Sequence, residues 1–472
     1  MTILSEKRPT SSTAPESVDV AGLEEVLLGR WAHVRRNARA FLADPRLHRD
    51  ESLPMPEHRE RVLEQLRILA AEGDVLRAFP EAQGGADDHG GSIARFEEVV
   101  TADPSLQIKA GVQWGLFASA ILHLGTEDHH ARLLPAAMSV DVPGAFAMTE
   151  TGHGSDVASI ATTATYDPAT EEFVIHTPFR AAWKDYLGNA ALHGTAAVVF
   201  AQLITAPAGE RPVNHGVHAF YVPLRDPATG AFLPGIGGED DGLKGGLNGI
   251  DNGRLHFDHV RVPRRDLLNK YADVAADGTY SSPITSPGRR FFTMLGTLVQ
   301  GRVSLSGAAV SVSKMALAIA VTYGTQRRQF TGADEHSEVV LMDYQQHQRR
   351  LLPLLARTYA ATFAQNELLD RFDEVFSGEH DSDEHRQDLE TLAAAAKPMT
   401  TWLALDALQE AREACGGARF DEAFGAKRRL VGVLQDDGVA GHEGGDDAVD
   451  GGEIGVVPGG DGQQHADGGL AD

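Results

Sequence analysis

The chain has 472 residues, 42% of them hydrophobic, and a formal net charge of −25 at pH 7. This length suits about three domains, and the apolar fraction is sufficient for buried cores. The strong acidity argues against nucleic acids and anionic membrane surfaces as partners, because both repel a polyanion. The single cysteine, Cys415, excludes an internal disulfide and a Cys-rich metal site, and it favours a reduced, intracellular setting.

Targeting signals are not evident in the sequence. The first 15 residues are mostly polar and lack the apolar stretch of a secretory signal. No apolar run approaches the length of a membrane span, so we expect no membrane insertion. The sequence Leu470-Ala471-Asp472 is not a peroxisomal address of the Ser-Lys-Leu type. Usage rich in Ala, Gly and Arg is typical of a GC-rich bacterium, and we therefore predict a cytoplasmic protein.

Hydrophobic periodicity predicts an α+β protein with three structured regions. Residues 1–20 are rich in Ser, Thr and Pro and are predicted to be disordered, whereas 21–142 carry helical stripes, for example over 23–35 and 58–71. Residues 143–268 hold short β-branched and aromatic segments that Gly, Pro, Asn and Asp separate, at 173–176, 197–204, 217–222 and 255–262. These predict a middle β domain of barrel-like or sandwich-like form. Residues 285–431 return to helical spacing and predict a C-terminal helical bundle.

The segment 432–472 differs from everything before it. Roughly a third of it is Gly, and it contains ten acidic residues and neither Lys nor Arg. Such a composition buries too little apolar surface to offset the entropy of ordering the chain. We interpret this segment as a low-complexity tail.

The most informative segment is Thr149–Asp156, which reads Thr-Glu-Thr-Gly-His-Gly-Ser-Asp at the entry to the β domain. Gly152 and Gly154 let main-chain N–H groups approach a ligand closely. The hydroxyls of Thr149 and Ser155 can donate to an anion or to the edge of a heteroaromatic ring. By spacing alone, a polar loop between a helix and a strand explains the segment better than a ligand site does, because loops rich in Gly, Ser and Thr are common.

This segment resembles the flavin-binding signature of the acyl-CoA dehydrogenase and oxidase superfamily, and His153 is the form found in oxidases. Further stretches resemble acyl-CoA oxidases in particular, namely 163–168, 201–205 and 218–225, together with Asp-Pro-Ser-Leu at 103–106. The resemblance runs from about residue 22 to about residue 417. It implies a helical N-terminal domain, a middle β domain and a C-terminal helical bundle of the acyl-CoA dehydrogenase type.

The resemblance also implies FAD as cofactor and assigns site residues. Thr149 would contact the isoalloxazine ring, Ser155 would lie near the phosphate arm of acyl-CoA, and Trp183 and Gly188 match the next flavin segment. Arg327, in a Tyr-x3-Arg-x2-Phe pattern, would reach the FAD phosphates across the interface of a homodimer. Without the resemblance, Trp183 would be interpreted as a half-buried strand aromatic and Arg327 as a solvated helix-end residue.

The implied reaction is an α,β-dehydrogenation of acyl-CoA. A carboxylate removes the α-proton, the β-hydrogen leaves as hydride to the flavin, and dioxygen is reduced to hydrogen peroxide. The product is a trans-2-enoyl-CoA in fatty-acid β-oxidation. Two alternatives stay open, namely a dehydrogenase that passes electrons to a protein partner and a non-catalytic remnant that binds flavin or acyl-CoA.

The sequence departs from the family pattern after Gly417. Arg419 stands where the family has glycine, and the nearest remnant of the segment that carries the base is His-Glu-Gly-Gly-Asp at 442–446. Glu443 is therefore the candidate catalytic base, and we hypothesise that the chain is truncated, degenerate or frame-shifted from about Ala418 or Gly432 onward. No metal site is predicted, because His123, His129 and His130 lack metal-binding spacing.

Overall fold

The computed structural model describes residues 18–206, 210–296, 299–332 and 336–417. Within these ranges, helices precede two β-sheets and further helices follow them, which confirms the predicted α+β fold. The candidate base Glu443, the tail 432–472 and the N-terminal segment 1–17 lie outside the described residues.

The N-terminal region is helical. Its helices are α1 (Val20–Leu28), α2 (Ala32–Leu42), α3 (Met55–Glu72), α4 (His89–Val99), α5 (Pro104–Ala110), α6 (Ser119–Leu124) and α7 (Glu127–Met138). The single stripe predicted over 23–35 spans two helices, because Gly29 adopts φ +63° and ends α1. Arg35 ends the predicted stripe. It is buried, and its guanidinium pairs with Glu97 at 2.8 Å.

Between α5 and α6 the helix widens without interruption. Residues Gly111–Ala118 form a π-helix, which joins α5 to α6. Asp103 starts this run, since its carboxylate accepts a hydrogen bond from the Ser105 N–H at 2.7 Å. π-Helical turns are rare and are found frequently at functional sites.

The middle region contains two sheets and a short hairpin. The strands are β1 (Gly144–Ala147), β2 (Thr163–Asp167), β3 (Glu172–His176), β4 (Lys184–Leu187), β5 (Ala196–Thr205), β6 (Val213–Pro223), β7 (Ile236–Asp240), β8 (Gly253–Phe257), β9 (Val260–Pro263), β10 (Asp273–Val274) and β11 (Tyr280–Ser281). A six-stranded sheet has the order β1-β5-β2-β3-β9, with β6 antiparallel to β5, and β4, β8 and β7 form the second sheet. The predicted strand 255–262 is thus two strands in different sheets, with a corner at Asp258-His259.

The C-terminal region is a helical bundle. It contains α8 (Pro287–Leu295), α9 (Val299–Gln326), a hairpin of β12 (Arg328–Thr331) and β13 (Glu338–Val340), α10 (Gln345–Phe376) and α11 (Asp383–Cys415). α9 packs against both α10 and α11, and Cys415 is buried with them. Residues 287–326 are long and apolar enough to cross a membrane by length and composition, yet 61% of the relevant window is buried within the protein, as in a core helix.

Candidate functional site

The signature segment Thr149–Asp156 follows β1 and lies beside the start of β4. The Thr151 N–H donates to the Trp183 carbonyl at 3.0 Å, and the Asp185 N–H donates to the Thr149 carbonyl at 3.0 Å. Thr151 also donates its hydroxyl to the Asp185 carboxylate at 2.8 Å. The fold therefore brings Thr149 and Trp183 together, although 34 positions separate them in the sequence.

A buried ion pair holds the signature segment against β4. Lys184 Nζ lies 3.0 Å from Glu150 Oε1, and both side chains are 0% exposed. Glu150 also accepts from the N–H groups of Ala161 (2.7 Å) and Thr162 (2.9 Å). Burial lowers the pKa of Lys184 to about 8. Burial acts to raise the pKa of Glu150, but Lys184 and the two amides together hold that pKa below its usual value.

Trp183 and Gly188 already have close neighbours in the protein. The Trp183 ring stacks on His256 at 4.1 Å between centroids, and the Arg180 guanidinium lies 3.9 Å from the Trp183 ring centroid. At Gly188, a Cβ atom would come within 2.8 Å of the Val112 side chain. The absence of a side chain at Gly188 is thus required by packing against the π-helix. Contact of either residue with flavin remains a prediction.

The two predicted hydroxyl donors are available for a ligand. Thr149 is half-buried and Ser155 is exposed, and neither hydroxyl makes a hydrogen bond to a residue that the structure describes. Gly154 adopts φ +53°, a conformation that few L-residues take, and a Cβ there would meet no atom within 4 Å. The turn around Gly154 and Ser155 is therefore open on its outer side.

Arg327 lies in a different place, at the end of α9. It lines a cavity of about 760 Å³ whose lining comes from α9, the β12–β13 hairpin, α10, α11 and the residues just after α11. The Arg327 guanidinium is exposed and pairs with no carboxylate among the described residues. Within one chain, the fold does not bring Arg327 to Thr149 or Trp183.

A second buried cation supports the loop after β4. Lys109 Nζ is fully buried, and it donates to Asn189 Oδ1 and Asp251 Oδ1 at 2.5 Å each and lies 3.0 Å from His193 Nδ1. Asn189 adopts φ +67° and donates to the Gly144 carbonyl at 2.7 Å. This network connects α5, β1 and the loop that contains Gly188.

An apolar cavity of about 280 Å³ lies on the helical side of this loop, with the Val112 side chain between them. Val112, which packs on Gly188, belongs to its lining, and α4, the π-helix and the start of α9 supply most of the rest. The lining contains no Asp or Glu among the described residues. A carboxylate that acts on a ligand in this cavity therefore has to come from elsewhere in the chain, and Glu443 lies outside the described residues.

Three family models match the chain in the order that the fold shows. They are the acyl-CoA dehydrogenase N-terminal domain (residues 32–141), the acyl-CoA dehydrogenase middle domain (145–260) and the acyl-CoA oxidase C-alpha1 domain (295–435). The last of these separates oxidases from dehydrogenases. The chain belongs to the acyl-CoA oxidase family.

Individual family members agree with this assignment. Acyl-coenzyme A oxidase 2, peroxisomal, from Arabidopsis thaliana is 40% identical over 432 residues, which cover 90% of this chain and 61% of that protein. The crystal structure of acyl-CoA oxidase 3 from Yarrowia lipolytica has 31% identity and a TM-score of 0.73, over 88% of this chain and 59% of that one. Acyl-CoA oxidase-2 of Caenorhabditis elegans, solved with FAD, ascaroside-CoA and ATP, has 28% identity and a TM-score of 0.72, over 90% and 62%. The chain thus spans about three fifths of the length of these oxidases.

The cytoplasmic location predicted from the sequence is wrong. Similar oxidases from Arabidopsis thaliana and Homo sapiens are named peroxisomal. The prediction relied on an amino-acid composition rich in Ala, Gly and Arg and on the absence of a targeting signal of the Ser-Lys-Leu type. Neither feature is tied to the chemistry of the family.

Sequence reasoning assigned no role to several residues that shape the site. Glu150 and Lys184 were visible inside the two motifs, but nothing in their spacing showed that they form a buried pair. Lys109 and Asp251 are 142 positions apart. The sequence offered no usable signal for either pair, because Lys184 stands in a strand that also contains Asp185, and Lys109 in a helix that also contains Gln107.

Proposed function

We propose that this chain is an FAD-dependent acyl-CoA oxidase that converts acyl-CoA and dioxygen into trans-2-enoyl-CoA and hydrogen peroxide in fatty-acid β-oxidation. The observation that carries the proposal is the apolar cavity, whose lining residue Val112 packs on Gly188 in the loop that follows Trp183 and β4. An acyl chain in this cavity would bring its thioester end to the signature segment. The assignment of dioxygen as the electron acceptor rests on membership of the acyl-CoA oxidase family.

The residues present fit FAD. Thr149 offers an unpaired hydroxyl for the ring edge, and Trp183 and Gly188 lie in the adjoining segment. Ser155 stands in the open turn, where it could meet the phosphate arm of acyl-CoA. When bound, FAD supplies hydride acceptance and electron transfer to dioxygen, and the chain's own residues orient the thioester and exclude water. We retain Glu443 as the candidate for removal of the α-proton.

A homodimer is part of the proposal. Among the described residues, the Arg327 guanidinium pairs with no carboxylate, and it lies in a cavity formed by the C-terminal helices and the β12–β13 hairpin, which neither Thr149 nor Trp183 lines. Pairing of two chains through these helices would let Arg327 of one chain reach the FAD phosphates held by the other. We also propose the domain boundaries 21–142, 143–268 and 285–431, with 1–20 and 432–472 as flanking segments.

The decisive experiment is an anaerobic titration of the purified, flavin-loaded chain with a saturated acyl-CoA. We expect the flavin absorbance to bleach, and peroxide to appear in equimolar amount when air is admitted. Bleaching without peroxide would instead support a dehydrogenase, and stable yellow colour without bleaching would support a binding remnant. The Glu443→Gln variant should retain its colour and lose bleaching. Unchanged bleaching in this variant would eliminate Glu443 as the base.

Replacing Arg327 with Met should weaken FAD binding about 10–100-fold, since a charge-assisted hydrogen bond to phosphate contributes about 1.5–3 kcal/mol. The measurement is equilibrium binding of FAD to apoprotein by flavin fluorescence. Arg328→Met is the matched control, because Arg328 is also exposed but donates to the Glu338 carbonyl at 3.0 Å within its own hairpin. Equal FAD affinity in both variants would contradict the role of Arg327.

A further inference from the structure

Two histidines interrupt the lining of the 280 Å³ apolar cavity. His89 begins α4 and His123 lies near the end of α6, and both contribute to the lining. The Phe376 ring packs against both of them, with centroid distances of 6.0 Å to His89 and 6.3 Å to His123. The two imidazoles therefore pack against the same apolar ring.

His123 and Val112 line the same cavity at separate points along one helical run. Val112 contacts Gly188, and His123 follows 11 residues later in the same uninterrupted helical run. At about 1.5 Å of rise per residue, this separation is roughly 15 Å. An acyl chain whose thioester lies near Gly188 would point its far end towards His89 and His123.

Burial favours the neutral form of both rings. Burial lowers the pKa of His123 to about 4, and burial likewise lowers the pKa of His89. Neither imidazole makes a hydrogen bond to a residue in the described part of the chain. A neutral imidazole has one N–H donor and one acceptor nitrogen, so the pair offers both functions to a ligand.

We propose that His89 and His123 form a hydrogen-bonding subsite for an uncharged polar group at the far end of the acyl chain, and that ω-hydroxyacyl-CoA thioesters are favoured substrates. This inference rests on the proposed acyl-CoA oxidase function. A hydroxyl group both donates and accepts, which matches the two imidazoles, whereas a methyl end leaves them unpaired.

A terminal carboxylate suits this subsite less well. Arg95 is the one permanently charged residue of the lining, and it is 1% exposed. Its guanidinium is already paired with Glu72 at 2.8 Å and lies 3.7 Å from Asp74. The Nε and Nη1 groups of Arg95 make no hydrogen bond in the described part of the chain, but two carboxylates already lie against its single positive charge. A further carboxylate would therefore enter an apolar cavity as excess negative charge.

The test measures binding by competition. Matched pairs of saturated and ω-hydroxylated acyl-CoA, over a range of chain lengths, displace a fluorescent acyl-CoA from the flavin-loaded protein. At the length that fits, the hydroxylated ester should bind about 3–10-fold more tightly, as expected for one added hydrogen bond. The His89→Leu/His123→Leu variant should lose this preference, and His123→Gln, which keeps a donor and an acceptor, should retain part of it.

His33→Leu is the control, because His33 is exposed on α2 and lies outside the cavity. Equal binding of both esters at every length, a preference that survives in the double leucine variant, or tighter binding of ω-carboxyacyl-CoA would each overturn the subsite. Failure of the oxidase function is a separate result. If the esters bind without bleaching the flavin, the catalytic proposal fails while the binding ratio still decides the subsite, and if neither ester binds, both proposals fall.

Discussion

Replacing Lys184 with Met should lower the free energy of unfolding by about 3–5 kcal/mol, the usual cost of removing one partner of a buried ion pair. Lys184 and Glu150 are both 0% exposed, so the variant would leave the Glu150 carboxylate without its cation in a dry environment. Glu150 would keep only the Ala161 and Thr162 amides as donors. Urea-induced unfolding followed by circular dichroism measures the change.

A second variant separates the lost pair from the lost side chain. In Glu150→Leu/Lys184→Met no buried charge remains, and we expect this double variant to recover part of the stability that Lys184→Met loses. The surface control is Arg371→Met, which breaks a pair between Arg371 and Glu367 whose side chains are 46% and 64% exposed. It should cost less than about 1 kcal/mol. Similar losses from Lys184→Met and Arg371→Met would refute a structural role for the buried pair.

The same variant links stability to cofactor binding. Lys184 also donates to the Met148 carbonyl at 3.1 Å, directly before Thr149. The pair therefore holds both the signature segment and β4 in one geometry, and rigid placement of ligand-contacting groups is what makes a binding site effective. Loss of FAD from Lys184→Met under conditions in which it stays folded is the expected consequence.

The elements of the fold were predictable wherever the hydrophobic period was uninterrupted. The helical pattern at 58–71 lies within α3. The prediction over 255–262 treated two strands as one, because a two-residue corner at Asp258-His259 leaves the alternation of apolar residues nearly intact. Long-range contacts decide which strand each of the two segments pairs with. The local spacing of apolar residues does not encode these contacts.

The candidate site was predictable only as far as its motifs extend. The Thr149–Asp156 segment and Trp183 were identified from sequence and do lie together, since backbone hydrogen bonds at 151 and 185 join them. The cavity with His89 and His123 could not be predicted, because its lining is collected from α4, the π-helix and α9. Apolar residues in such helices have the same spacing whether they face a core or a cavity.

Replacing Lys109 with Met should also cost about 3–5 kcal/mol, because it leaves Asp251 as an uncompensated charge that is 0% exposed. Lys109 donates to Asn189 as well, so the loop that carries Gly188 loses a second support. Lys397→Met, at an exposed position of α11, is the matched control and should change the free energy of unfolding by less than about 0.5 kcal/mol. Equal stability of the two variants would show that the network around Lys109 contributes little.

Because Asp251 is charged, the contribution of this network to the free energy of unfolding depends on pH. The uncharged side chain of Asp251→Asn lacks this dependence. Burial acts to raise the pKa of Asp251, but Lys109 and His193 hold that pKa far below its usual value. A carboxyl whose folded pKa is depressed stabilises the fold fully above its unfolded pKa of about 4, and this contribution decreases as the pH falls below that value. The difference in unfolding free energy between wild type and Asp251→Asn should therefore be largest near pH 6 and should shrink towards pH 3. A difference that stays constant over this range would mean that the hydrogen bonds of Asp251, which asparagine can partly replace, matter more than its charge.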